Sequence, residues 1–306
     1  MSALPPLLFL IGPTAVGKTE TALQLAERLN GEIISADSRT FYRGLDIGTA
    51  KPTAEERARV PHHLIDIADP DESLSLAEFQ QAVYRIADDI HARGKLPLIV
   101  GGTGQYVHAL TEGWIIPPQE PDPRLRNALE RWADDIGGER LHAGLAKLDP
   151  GAAALIDWRN VRRTVRALEV IFRTGRRFSE QRQRGPARYR NILIGLTRPR
   201  PVLYERIDAR IDLMIAAGWV DEVRALLTRG YSPDQPALSA IGYREIIQAL
   251  QGEHSLEEAV LLIKRKTREF VRRQANWFKP DDPEIQWFEV RPGVVEDILN
   301  FLAPIV

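Results

Sequence analysis

One octapeptide limits the architectures open to this chain more than any other feature. Gly12-Pro13-Thr14-Ala15-Val16-Gly17-Lys18-Thr19 fits the pattern G-x-x-x-x-G-K-[ST]. It follows the apolar run Leu7 to Ile11 and precedes a helical pattern, Thr21 to Leu29. Strand, glycine loop and helix in that order make a phosphate-binding turn. The glycines let backbone N–H groups wrap an anion, and the helix N-terminus adds partial positive charge. Lys18 then reaches a phosphate oxygen and Thr19 ligates Mg²⁺. The pattern identifies phosphate as the ligand and leaves open which molecule carries it.

The first 110 residues alternate strand and helix. Glu32 to Asp37 predicts a second strand and His63 to Ile67 a weaker one. Leu76 to Arg93 predicts a helix, with Phe79, Val83, Ile86 and Ile90 on its apolar face and Gly94 as its stop. Leu96 to Val100 reads as a buried strand ending in Gly101-Gly102-Thr103-Gly104. Such alternation implies a parallel sheet covered on both faces, with ligands at the carboxyl ends of its strands. Gly12–Thr19, Asp37 and Thr103 should therefore converge.

The pattern changes after Trp114. Pro117, Pro118, Pro121 and Pro123 mark a boundary, and from Asp122 to Thr174 only helices are expected. One, Asn160 to Thr174, puts Val161, Val165, Leu168 and Phe172 on an apolar face, and Arg162, Arg166 and Arg173 on another. Arg176 to Arg190 reads as a polar loop. Strand character returns at Asn191 to Leu196 and again at Gln286 to Val290. The expected fold class is α/β: a P-loop NTPase-like parallel sheet core flanked by helices, with an all-helical insertion domain. The core spans 1–116 and 190–306, and the insertion spans 117–189.

The formal net charge of −1 hides two basic stretches. Asp157 to Arg190 holds eleven arginines, no lysine and three acids; Lys264 to Lys279 holds seven basic residues against Glu269. Clustered positive charge on a neutral chain is the footprint of a polyanion, and arginine suits phosphate and base stacking. Cysteine is absent, so neither a disulfide nor a thiolate metal site can form. Met1 to Pro6 has no basic segment typical of a signal peptide, and no apolar run reaches membrane length. A cytoplasmic protein with no membrane partner is expected, and nothing demands more than a monomer.

Asp37 ends the second strand, opposite the phosphate loop, as a general base, a magnesium partner or a turn aspartate. Arg206 and Arg210, at i and i+4 of one helix, either clamp a departing pyrophosphate or pair with Glu205 and Asp208. Asp66 is the only candidate, and a poor one, for the second magnesium carboxylate of an ATPase.

Together these segments resemble the bacterial tRNA dimethylallyltransferases. The resemblance rests on Gly12–Thr19, Asp37-Ser38, Tyr42-Arg43-Gly44-Leu45-Asp46-Ile47-Gly48-Thr49-Ala50-Lys51-Pro52 and Pro61-His62-His63-Leu64-Ile65-Asp66. It continues through Gly101–Gly104, Arg166-Ala167-Leu168-Glu169-Val170 and Ala240-Ile241-Gly242-Tyr243-Arg244-Glu245, in order along nearly the whole chain. It implies transfer of a dimethylallyl group from dimethylallyl diphosphate to N6 of the adenosine just 3′ of the anticodon, position 37, in tRNAs reading codons that start with U. Asp37, Thr103 and Arg210 are the implied catalytic residues. Gly12, Thr14, Ala15, Val16, Gly17, Lys18, Thr19 and Arg206 are expected to bind diphosphate, with Mg²⁺ on Thr19. For the tRNA anticodon stem-loop the expected contacts are Ser38, Arg39, Thr40, Arg126, Arg162, Arg163, Thr164, Val165, Arg166, Gly242, Tyr243 and Arg244. Thr40 and Arg162 stand where the family commonly has glutamine. The alternatives are an ATP-dependent small-molecule kinase and a non-catalytic, nucleotide-dependent RNA-binding module.

Overall fold

The computed structural model describes residues 4–116, 122–181 and 183–306. Pro117, Pro118 and Pro121 of the expected boundary lie outside the described residues, as do Met1 to Ala3 and Arg182. Pro123 opens a helix at its first turn, where its missing N–H costs nothing.

The chain begins with β1 (Pro6–Ile11), α1 (Lys18–Arg28), β2 (Gly31–Ser35), α2 (Ala54–Arg59), β3 (His62–His63), α3 (Leu76–Ala92), β4 (Leu96–Gly101) and α4 (Gly104–Thr111). Next come β5 (Trp114–Ile115), α5 (Pro123–Ile136), α6 (Gly138–Leu148), α7 (Pro150–Leu155), α8 (Val161–Thr174) and β6 (Gln183–Arg184). It closes with β7 (Arg190–Thr197), α9 (Arg200–Ala216), α10 (Trp219–Thr228), α11 (Tyr243–Leu250), α12 (Leu256–Gln274), β8 (Ile285–Glu289) and α13 (Val294–Leu302).

Two compact units emerge. The first comprises Met1–Leu74, Glu78–Thr111 and Arg188–Val306. Its sheet has the order β3-β2-β4-β1-β7-β8, and every pairing is parallel. Leu8 of β1 registers with Leu98 on one side and Ile192 on the other. Leu7 to Ile11 are fully buried, as a parallel strand covered on both faces requires. β1 lies inside the sheet with its successor β2 one strand away beyond β4, which opens a crevice at the carboxyl ends. The strand expected over 63–67 shrinks to His62–His63, because Leu64 and Asp66 take left-handed φ values of 59° and 56°.

The second unit comprises Ser75–Ala77 and Glu112–Ala187. α5 to α8 pack around Leu129, Leu141, Leu145, Ile156, Val165 and Leu168. Asn160 caps α8 by accepting from the Arg163 N–H, and Gly175 ends it in left-handed geometry. Phe172, expected on the apolar face, is 51% exposed: it lies past the end of the packed stripe. The loop expected over Arg176–Arg190 carries a 3₁₀ turn, Ser179–Gln181, and β6, which pairs antiparallel with β5. Among the described residues no helix is long and apolar enough to cross a membrane.

Candidate active site

The phosphate loop is shaped by backbone constraints. Gly12 has φ 150°, and a Cβ there would lie 2.6 Å from the Leu196 carbonyl oxygen of β7, so only glycine fits between the strands. Ala15 takes φ 65° without being glycine, the kind of local strain that functional turns hold. Lys18 turns inward and donates to the carbonyls of Gly12 (3.0 Å) and Pro13 (2.8 Å). Two outer guanidiniums brace the loop: Arg198 Nε donates to Val16 O (2.8 Å) and Arg206 Nε to Ala15 O (3.0 Å). Arg198 was not evident from the sequence, since a lone arginine after a strand carries no signal of its own.

The loop opens on a cavity of about 1110 Å³ lying wholly within the first unit. Thr14, Lys18, Thr19, Asp37, Thr103, Arg206 and Arg210 all line it. Three strand ends meet there, as parallel topology requires. Asp37 is placed by its own turn: its carboxylate accepts from the Arg39 N–H (2.9 Å) and its backbone N–H donates to Ser35 Oγ (3.3 Å). Thr103 accepts at its carbonyl from Tyr106 N (2.9 Å), starting α4. Burial lowers the Lys18 ammonium to about 8; Asp37 opposes that shift and Arg210 adds to it. Burial also lowers Arg210, again opposed by Asp37. Two poorly hydrated cations and one carboxylate thus share a low-dielectric pocket, an arrangement suited to an anionic leaving group beside a proton acceptor.

No group of three or more His, Cys, Asp or Glu residues among those described could by itself hold a metal. Thr19, exposed at the start of α1, is the loop hydroxyl that could ligate a cation held mainly by phosphate oxygens. Asp66 does not serve the loop. It accepts from Lys51 (2.6 Å) and Arg57 (2.9 Å), and although burial opposes its charge these partners hold it below the usual carboxylate range.

The Tyr42–Pro52 block wraps buried ionic groups. Lys51, with its side chain 3% exposed, binds the Tyr42 carbonyl, Asp46 and Asp66. Glu222 of α10 accepts from the N–H groups of Asp46 (2.8 Å), Ile47 (2.7 Å) and Gly48 (3.2 Å). Tyr243 donates a hydrogen bond from its phenolic O–H to Glu222 (2.6 Å) and is fully buried, so the side chain expected among the RNA contacts lies in the core instead. Gly242 is buried as well, with the Trp219 ring where a Cβ would stand. Arg244 alone of that trio is exposed.

Other expected RNA contacts divide similarly. Ser38 lines the cavity. Arg39 donates to the Pro236 carbonyl (2.8 Å). Thr40 is 6% exposed and its hydroxyl joins Ser35 Oγ (2.8 Å) and the Asp37 carbonyl (3.0 Å), so it braces the Asp37 turn from inside. In the helical unit Thr164 and Val165 are 0% and 1% exposed; their side chains are core, contrary to expectation. Arg126 and Arg166 both pair with buried Glu169, at 2.8 and 2.9 Å. Burial opposes the Glu169 charge, but the two arginines and the Asp122 N–H hold its carboxyl below the ordinary value. Arg162 and Arg163 are exposed and, among the described residues, have no ion-pair partner. In the second basic stretch three of the seven basic residues are tied up among the described residues: Lys264 pairs with Asp212, Lys266 with Glu245 and Arg268 with Asp208.

A residue that sequence reasoning missed is Gln274, at the end of α12. It is 5% exposed, accepts from the Thr14 N–H (3.0 Å) and donates to the Gly102 carbonyl (3.1 Å). No motif surrounds it, so nothing in the sequence marks it out.

The model of the IPP transferase family matches residues 40–281, and that of the isopentenyl transferase family matches residues 6–67. A tRNA dimethylallyltransferase of Roseiflexus sp. (strain RS-1) is 54% identical over 274 residues, 90% of each chain. One from Thermomicrobium roseum is 50% identical over 299 residues, 97% of this chain and 91% of that one. The crystal structure of the full-length tRNA isopentenylpyrophosphate transferase from Bacillus halodurans matches with a TM-score of 0.73 and 44% identity, over 98% of this chain and 96% of that one. A eukaryotic dimethylallyltransferase acting on tRNA has the same fold, with a TM-score of 0.84 at 24% identity, over 98% of this chain and 80% of that one.

Proposed function

The chain belongs to the IPP transferase family, and from that premise we propose that it transfers a dimethylallyl group from dimethylallyl diphosphate to N6 of the adenosine 3′-adjacent to the anticodon in tRNA. The observation that carries the reading is one cavity lined at once by the phosphate loop, Asp37, Thr103 and Arg210. The N6 lone pair forms a bond to C1 of the allyl group while the C1–O bond breaks. Its electron pair leaves with the diphosphate, and the N6 proton passes to the Asp37 carboxylate. Lys18, Arg210 and the loop N–H groups receive the growing negative charge. Mg²⁺ held by Thr19 and the diphosphate would supply further charge stabilisation of the leaving group. The target base must leave its stack to enter such a cavity, and Thr103 lines the wall beside it. Exposed Arg162 and Arg163 are the helical unit's candidates for RNA phosphate.

A kinase reading is disfavoured by Asp66, whose carboxylate is engaged by Lys51 and Arg57. Nothing in the sequence demands an oligomer, and the lack of cysteine suits the cytoplasm. The test is incubation with unmodified anticodon stem-loop RNA, Mg²⁺ and dimethylallyl diphosphate, followed by nucleoside mass analysis. Adenosine bearing an added five-carbon unit is expected. Phosphoryl transfer from ATP without any prenylated product would replace this reading with the kinase.

A further inference from the structure

Gln274 has no part in the chemistry just described, yet it touches both loops that carry it. Its side chain reaches the Thr14 N–H across 260 positions of sequence and the Gly102 carbonyl across 172. One partner can only donate and the other can only accept, so the amide has a single orientation. Gly102 allows the approach, since a Cβ there would lie 2.4 Å from Gln274 Nε2. Next along the chain from Gly102 is Thr103, and Thr14 lies four residues before Lys18. We propose that Gln274 is a positioning residue that sets the register between the diphosphate loop and the Thr103 loop.

The physical requirement is narrow. The position needs an acceptor and a donor on one planar group at glutamine's reach. Ionised glutamate keeps the acceptor and places a negative oxygen against the Gly102 carbonyl. Methionine fills the volume and offers neither bond, leaving a buried N–H and a buried C=O without partners. A released loop must then be ordered by the ligand, which weakens binding. The inference rests on the proposed diphosphate site, and its test separates the two.

The probe is inorganic pyrophosphate with Mg²⁺, titrated calorimetrically into the full chain without RNA. Gln274→Met is expected to weaken pyrophosphate about tenfold and to lower kcat for prenyl transfer about tenfold, with stem-loop affinity within about twofold of wild type. Gln274→Glu supplies the readout that a merely structural role would not move. As pH falls the buried carboxyl protonates and can donate to Gly102 again, so its pyrophosphate affinity relative to wild type rises. Pyrophosphate affinity in folded Gln274→Met within twofold of wild type overturns the proposal. If that variant does not fold, a Gln274→Glu ratio that is flat with pH overturns it instead. Failure of wild type to prenylate while still binding pyrophosphate would remove the prenyl-transfer reading and leave this test standing.

Discussion

The phosphate loop and the arginine-rich helical unit handle positive charge in opposite ways. At the loop, Lys18 and Arg210 are desolvated, and Asp37 is the carboxylate that acts on both. In the helical unit, Arg126 and Arg166 are held by Glu169, Arg159 pairs with Asp157, and Arg177 with Glu180. The first arrangement keeps charge available to a ligand, at a cost in hydration. The second uses much of its charge to organise the fold. A count of basic residues therefore overstates what an RNA can meet, and Arg162 and Arg163 are among those left exposed without an ion-pair partner among the described residues.

Breaking the loop side of this contrast should give the largest effects. Asp37→Ala should lower kcat about 100- to 10,000-fold by single-turnover mass analysis while leaving stem-loop affinity near wild type. Equal activity in the variant would take the proton-acceptor role from Asp37. Lys18→Met should cost about 100- to 1,000-fold in kcat, because the phosphate loop loses its own cation. The pH dependence follows from the same group. Lys18 is protonated below about 8 and loses its charge as pH rises through that value. Pyrophosphate affinity should fall over that range, and Lys18→Arg, whose guanidinium stays charged, should show a smaller fall. An identical profile in Lys18→Arg would assign the titration elsewhere.

The helical side is tested by stability and salt. Glu169→Gln should destabilise that unit by about 1–3 kcal/mol in denaturant, since two half-exposed arginines lose a shared charged partner. The folded carboxyl lies below its unfolded value, so its contribution is present above the unfolded pKa and is lost as pH falls through the folded one. The smallest effect should sharpen the contrast most. Arg162→Ala should reduce the salt slope of stem-loop binding by about 0.7–0.9. Arg166→Ala should lower stability and change that slope less. Equal slopes in both variants would place Arg166 in contact with RNA despite its partner.

Local pattern did not determine β3, β5 or β6, but it alone determined β1, β2, β4, β7 and β8, the phosphate turn and the frame of α8. Each depends on neighbours in sequence: apolar runs make buried strands, Gly12 and Gly17 set the turn, and Asn160 and Gly175 frame α8. The tertiary structure decided which polar groups are available. Thr164, Val165 and Tyr243 sit in conspicuous motifs yet are buried, while Gln274 and Arg198 sit in none yet reach the phosphate loop. The physical reason is that a motif records residue types at fixed spacing. Whether a side chain faces solvent, a ligand or a buried partner depends on elements hundreds of residues apart, and only folding brings those together.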